Sequence, residues 1–235
     1  MKKAKLITAI LLTLFSAVLK AAEKDLYYFL WLDPDKKVFV LQNKIHKKEN
    51  TIYANIGYGS GLSSNFQDTS LLHFNAGYSF TETWAIEGLY TSYTNKDNDA
   101  FTNLKKLNGA VPFIRNTKSN YGVIAKWSPF YGKINTFNQI FYFDWSFGAG
   151  LGQLNTESNA LTAATPSRAN TYANESYTSL LSKTELTVHL NKNIHINAGL
   201  LFNTYKAPGP TINGVSPNAK LRNNMDVVFG VGFSF

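Results

Sequence analysis

In residues 225–235, Met225, Val227, Phe229, Val231, Phe233 and Phe235 share one face of an extended strand, and Asp226, Val228, Gly230, Gly232 and Ser234 share the other. One face is wholly apolar; the opposite one is small or polar except at Val228. The middle of the chain repeats the pattern more strongly. Phe141, Phe143, Trp145, Phe147, Ala149 and Leu151 alternate with Tyr142, Asp144, Ser146, Gly148, Gly150 and Gly152. The same period of two runs through 52–58, 72–80, 84–93, 121–127, 180–190 and 194–204. Within 194–204 the polar side has one exception, Leu201. A soluble sandwich carries larger, charged residues on its wet face. Gly and Ser in that position suit the cramped interior of a narrow barrel. Eight strands of about 9–13 residues match the tilted span of a bilayer core. An even number closes an antiparallel sheet with no free edge for lipid to meet. The pattern therefore predicts an all-β fold, an eight-stranded antiparallel up-and-down transmembrane β-barrel over residues 50–235.

The connections give an independent check. Residues 59–70, 94–119, 153–175 and 207–222 are long and fall on one end. The Thr81-Glu82-Thr83 turn, the link from Ser128 to Asn138 and the Asn191-Lys192-Asn193 turn fall on the other. Outer-membrane barrels sort short turns to the periplasm and long loops to the outside in this way. Tyr58, Phe80, Trp84, Trp127 and Phe235 lie near strand ends, as an interfacial girdle does.

Ahead of the barrel, residues 1–22 read as a signal peptide. Lys2, Lys3 and Lys5 precede an apolar run from Leu6 to Leu19, and Ala21 and Ala22 offer small residues for cleavage. Residues 23–49 read as a periplasmic extension, with a turn at Asp33-Pro34-Asp35 and a basic connector at Lys44–Lys48. Export and a barrel together point to the cell outer membrane of a Gram-negative bacterium. The formal charge of +8 falls once the four leader lysines are removed, which leaves 19 basic against 15 acidic residues, or +4. That balance does not argue for nucleic acid. With no cysteine, the chain has no disulfide, thiolate metal site or thiol nucleophile.

The stretch Val38–Lys44, followed by Lys47-Lys48, precedes the first strand and then Ala76-Gly77-Tyr78-Ser79-Phe80-Thr81-Glu82-Thr83-Trp84-Ala85-Ile86-Glu87. Further on come Tyr131-Gly132-Lys133, Phe143-Asp144 and Gly148–Gly152. In these residues the chain resembles the outer membrane β-barrel domain family of myxobacteria, Bdellovibrio-like predators and their relatives. The resemblance spans roughly 37–235 and leaves the long loops unmatched. It implies a small outer-membrane barrel and brings no catalytic residue with it. Phe235 also looks like the C-terminal aromatic signal that such barrels present to the barrel assembly machinery.

Candidate chemistry falls into two groups. The inward faces carry Glu87, Lys126, Asp144, Lys183, Glu185 and Asp226, with His73, His189 and His195. Inside an eight-stranded barrel these are expected to pair into a lumen network, because an unpaired buried charge is very costly. His73 is the one candidate base for a lipid-A-modifying enzyme, the third reading after a structural or surface-interaction role and a narrow channel or carrier. The second group is in the loop 94–119, where Lys105, Lys106, Phe113 and Arg115 form a basic and aromatic set able to meet anionic lipopolysaccharide. The expectation is a monomer surrounded by outer-membrane lipid, without cofactor, metal or catalytic centre.

Overall fold

A computed structural model describes residues 45–108, 111–136, 139–163, 170–212 and 215–235. The signal peptide and most of the 23–49 extension lie outside the described residues. Eight antiparallel strands form a closed barrel: β1 (Thr51–Gly61), β2 (Gln67–Ser79), β3 (Trp84–Asp97), β4 (Arg115–Thr136), β5 (Gln139–Ser158), β6 (Ala173–His189), β7 (Ile194–Ala207) and β8 (Lys220–Ser234). Each strand pairs with the next, and β8 closes on β1 from Tyr53↔Ser234 to Gly61↔Asp226. The last backbone group is used as well, since the Phe235 N–H donates to the Ile52 carbonyl at 2.8 Å.

The alternation read from the sequence sets the two faces. Ile52, Ile56, Leu72, Phe74, Ile86, Val123, Leu151, Leu180, Ile196, Phe229, Val231 and Phe233 point outward and are exposed, whereas Asn55, Asn75, Glu87, Asn120, Asp144, Lys183 and Asp226 point inward and are buried. This inside-out distribution is what hydrocarbon, rather than water, stabilises around a barrel. Aromatic rings crowd the rim beside the chain's C-terminal strand end, where Trp84 stacks on Trp127 at 6.1 Å and Phe130 sits 6.0 Å from Trp145.

The near mouth, at the start of β1 and the end of β8, holds the short turns. Thr81 Oγ accepts from the Thr83 and Trp84 amides, and Asn191 Oδ1 accepts from the Asn193 and Ile194 amides. These side chains replace the strand hydrogen bonds that a turn forfeits. The described residues of the connections 62–66, 98–114, 159–172 and 208–219 follow strand ends at the far mouth.

Two expectations are corrected. Most of the link Ser128–Asn138 is strand: β4 runs on through it to Thr136, 22 residues long, and pairs there with the start of the 20-residue β5, as far as Thr136↔Gln139. The period slips there because the register shifts between Trp127 and Phe130, across Ser128-Pro129. Proline has no N–H for a ladder and is accommodated in a sheet at such an irregularity. The loops 94–119 and 153–175 are likewise shorter than their polar composition suggests, since β3, β4, β5 and β6 continue into them. What remains of the first carries a helix, α1 (Asp99–Asn108). Asn98 caps it, with Oδ1 accepting from the Phe101 amide at 3.1 Å, and Asp99 and Lys105-Lys106 complement its dipole.

Candidate functional site: the lumen and its two mouths

The lumen is built in layers, because every second residue of each strand adds one inward side chain. In the middle lies a ring of four charges. Lys126 Nζ is 2.6 Å from Glu185 Oε1 and 3.6 Å from Glu87 Oε2. Lys183 Nζ is 2.7 Å from Glu87 Oε1 and 2.8 Å from Glu185 Oε2. Two cations and two carboxylates therefore neutralise one another in a closed circuit across β3, β4 and β6. Glu87, fully enclosed, also accepts from Tyr53 OH at 2.9 Å and Asn75 Nδ2 at 2.7 Å. Lys126 lies over the Tyr53 ring, 5.0 Å from its centroid.

One inward step further from the near mouth, the composition turns apolar. Leu89, Ile124, Leu181 and Leu201 pack as a buried cluster. Leu201, out of place on a polar face in the sequence, belongs to this layer. Small residues make room for it: a Cβ on Gly122 would lie 2.6 Å from Leu181 Cδ1, and one on Gly152 would lie 2.8 Å from it. Beside His73 and Asn197, between Lys183 and Glu185 on one side and Leu201 on the other, lies a small cavity of about 20 Å³.

The sequence set thus divides. Glu87, Lys126, Lys183 and Glu185 come together. Asp144 does not join them: it lies at the near mouth, 2.7 Å from Lys48 Nζ and 2.7 Å from His189 Nε2. Asp226 lies beyond the leucine layer, accepting from Tyr93 OH at 2.6 Å and, more loosely, from Asn203 Nδ2 at 3.4 Å. His73 is enclosed mid-lumen with Nδ1 2.8 Å from Thr91 Oγ1, away from either membrane surface. His195 pairs through Nε2 with Asn55 Oδ1 at 2.7 Å. One network was expected; the intervening leucines and the length of the strands separate it into three.

At the near mouth the segment just before β1 folds into the opening. His46 stacks on His189 with ring centroids 4.6 Å apart and meets Tyr142 edge-on at 5.5 Å, while the Lys48 and Glu49 amides donate to the Glu82 carboxylate. Asn50, at a φ of 56°, turns the chain from this tether into β1. Its side chain accepts from Tyr78 OH at 3.0 Å. Asparagine is among the few residues that tolerate this left-handed conformation. Burial first, and then the neighbouring His189, hold the His46 pKa below the ordinary histidine range, against the pull of Asp144. The docked tether therefore favours neutral His46. The stabilisation this lends the docked tether is fully present above the free-histidine pKa of about 6.5 and is lost as pH falls below it. A spin label at Ile45→Cys is expected to be immobilised at pH 7.5 and to sharpen at pH 5.5, and His46→Gln should remove most of that dependence.

At the far mouth most of Arg115 is already engaged. Its Nε donates to Glu175 at 2.8 Å and its Nη2 to the Pro208 carbonyl at 2.9 Å, and the guanidinium lies over both Phe113 and Tyr177. Glu175 also accepts from Ser158 and Tyr177. This clasp ties β4, β5, β6 and the segment after β7 together. Lys105 and Lys106 are exposed on α1, while Phe113 and Arg115 are joined in the clasp. Among the described residues, no three His, Asp or Glu side chains are placed to hold a metal ion.

No family model and no curated protein matches the chain. Among solved structures it is similar to the N-terminal β-barrel domain of Pseudomonas aeruginosa OprF, at 12% identity and a TM-score of 0.48, over 80% of this chain and 98% of that one. The outer membrane protein OprG of P. aeruginosa aligns at 12% and 0.44, over 80% and 97%. Neisserial surface protein A aligns at 14% and 0.43, over 79% and 96%. These are small eight-stranded outer-membrane barrels. At such identities the likeness is one of fold alone.

Proposed function

We propose that the chain is an outer-membrane barrel with a non-conducting lumen, whose role is structural or lies in surface interactions at the far mouth. The carrying observation is the stacking of a neutral four-charge ring on a layer of Leu89, Ile124, Leu181 and Leu201. An ion would have to break the ring and then cross an apolar constriction, and both steps are expensive. The outward apolar belt supports the membrane setting, and the sorting of connections supports a near mouth toward the periplasm and a far mouth outside. Removal of residues 1–22, recognition of Phe235 by the assembly machinery, contact of α1 with lipopolysaccharide through Lys105 and Lys106, and kinship with the myxobacterial and Bdellovibrio-like family belong to the same proposal.

Planar-bilayer recording tests it. The wild-type barrel is expected to give no steady conductance, and Leu181→Ala alone should stay closed because the charge ring persists. A stable, reproducible unitary current from the wild type would replace this reading with the narrow-channel one.

A further inference from the structure

Above Asp226 the far mouth widens into a cavity of about 460 Å³, lined among others by Tyr93, Phe113, Arg115, Thr117, Tyr205 and Arg222. Two guanidinium groups meet there on one ring, with Cζ of Arg115 5.2 Å and Cζ of Arg222 5.8 Å from the Phe113 centroid. Their donors are not fully used. The Arg115 side chain is only 5% exposed, yet its Nη1 is enclosed without a hydrogen-bond partner among the described residues. Arg222 Nε is in the same condition, and Arg222 makes no ion pair with any described residue. Buried donors of this kind are normally satisfied, because each one left open costs about 1–3 kcal/mol. The charge of Arg115 is balanced by Glu175, while no described carboxylate balances that of Arg222.

We infer that the far-mouth cavity binds the oxyanion group, phosphate or carboxylate, of a small soluble molecule between Arg222 and Arg115. Guanidinium forks recognise such groups with paired, charge-assisted hydrogen bonds. The one acid among the described lining residues, Asp226, is four residues along β8 from Arg222, about 13 Å at 3.3 Å per residue. It lies at the floor with Tyr93 as its donor, so an anion at the rim is set well apart from it. Tyr93 and Tyr205 line the cavity below the arginines, and an apolar body attached to the anion would meet them. The arginines face the lumen side of the wall, which favours a ligand arriving from solution over a lipid headgroup on the outer surface. The site stands independently of whether the lumen conducts.

The test is a titration of the full chain, refolded in a phosphate-free amine-oxide detergent, with inorganic phosphate, read by the arginine side-chain resonances in nitrogen-15 NMR. Saturable shifts at Arg115 and Arg222 are expected. Arg222→Gln should weaken the affinity about tenfold or more, in line with a charge-assisted hydrogen bond. Arg222→Lys, which keeps the charge and loses the fork, should fall between. Arg115→Gln also opens the clasp, so Arg222, which takes no part in it, is the deciding position. Shifts that never saturate into tens of millimolar phosphate, or that saturate equally in Arg222→Gln, would overturn the site. A parallel titration with phosphatidic acid in the same detergent separates the sources: saturation with the lipid but not with free phosphate would overturn the soluble-ligand assignment.

Discussion

Replacing Glu87 with Leu is expected to destabilise the barrel by about 3–5 kcal/mol, the usual consequence of removing one partner from a buried charge set. Glu87 is fully enclosed and holds Lys183 at 2.7 Å and Lys126 at 3.6 Å. Without it two ammonium groups share the single carboxylate of Glu185, and the ring becomes a buried net positive charge. Tyr53 OH and Asn75 Nδ2 lose their acceptor at the same time. Urea unfolding in detergent micelles, followed by tryptophan fluorescence, measures the loss. The double variant Glu87→Leu, Lys183→Met restores neutrality and should recover most of it, since replacing both members of a buried pair is often nearly neutral. A water-filled lumen gives a different result: a solvated pair contributes about 0–1 kcal/mol, and the single variant would barely register.

Leu181→Ala is expected to cost about 2–5 kcal/mol. Leu181 is fully buried in the leucine layer, and its methyl groups fill the hollow above Gly122 and Gly152. Truncation leaves a void that backbone glycines, with no side chain to move, cannot close. The neighbouring Leu180 gives the control. It faces outward and is half exposed. Mobile lipid or detergent chains fill the gap left there, so Leu180→Ala should cost distinctly less in the same unfolding measurement. Equal losses at 180 and 181 would mean that both faces meet the same medium.

The outward face of the bilayer-spanning parts was legible in the sequence, because hydrocarbon favours apolar residues at alternate positions; it was lost only where the register shift at Ser128-Pro129 broke the period ahead of Phe130 and Ile134. Strand lengths were not. Beyond the bilayer a strand no longer needs an apolar face, so β4, β5 and β6 continue through Asn-, Thr- and Ser-rich stretches that carry no period, as in Asn155–Ser158 and Ala173–Ser176. The inward acidic and basic residues were legible as a set but not as groups, since alternation gives the face and not the height. Asp144 and Asp226 lie at opposite ends of the lumen, although each shares a face with Glu87. Leu201 could have signalled the apolar layer, but recognising it required Leu89, Ile124 and Leu181, on three other strands, to be set at the same level. Tethering by His46 and Lys48 was hidden because a basic connector and a docked plug have the same composition. Arg222 was missed for the opposite reason: it lies just before the apolar run of β8 and resembled the end of a loop.

The chain contains no cysteine, so single cysteines placed in turn at positions 227 to 233 can be spin-labelled without background in reconstituted bilayers. Accessibility to oxygen, which concentrates in hydrocarbon, should be high at 227, 229, 231 and 233 and low at 228, 230 and 232, with a water-soluble nickel chelate excluded from positions 229 and 231. Uniform oxygen accessibility along β8, or free access of nickel to 229 and 231, would contradict a closed cylinder facing lipid.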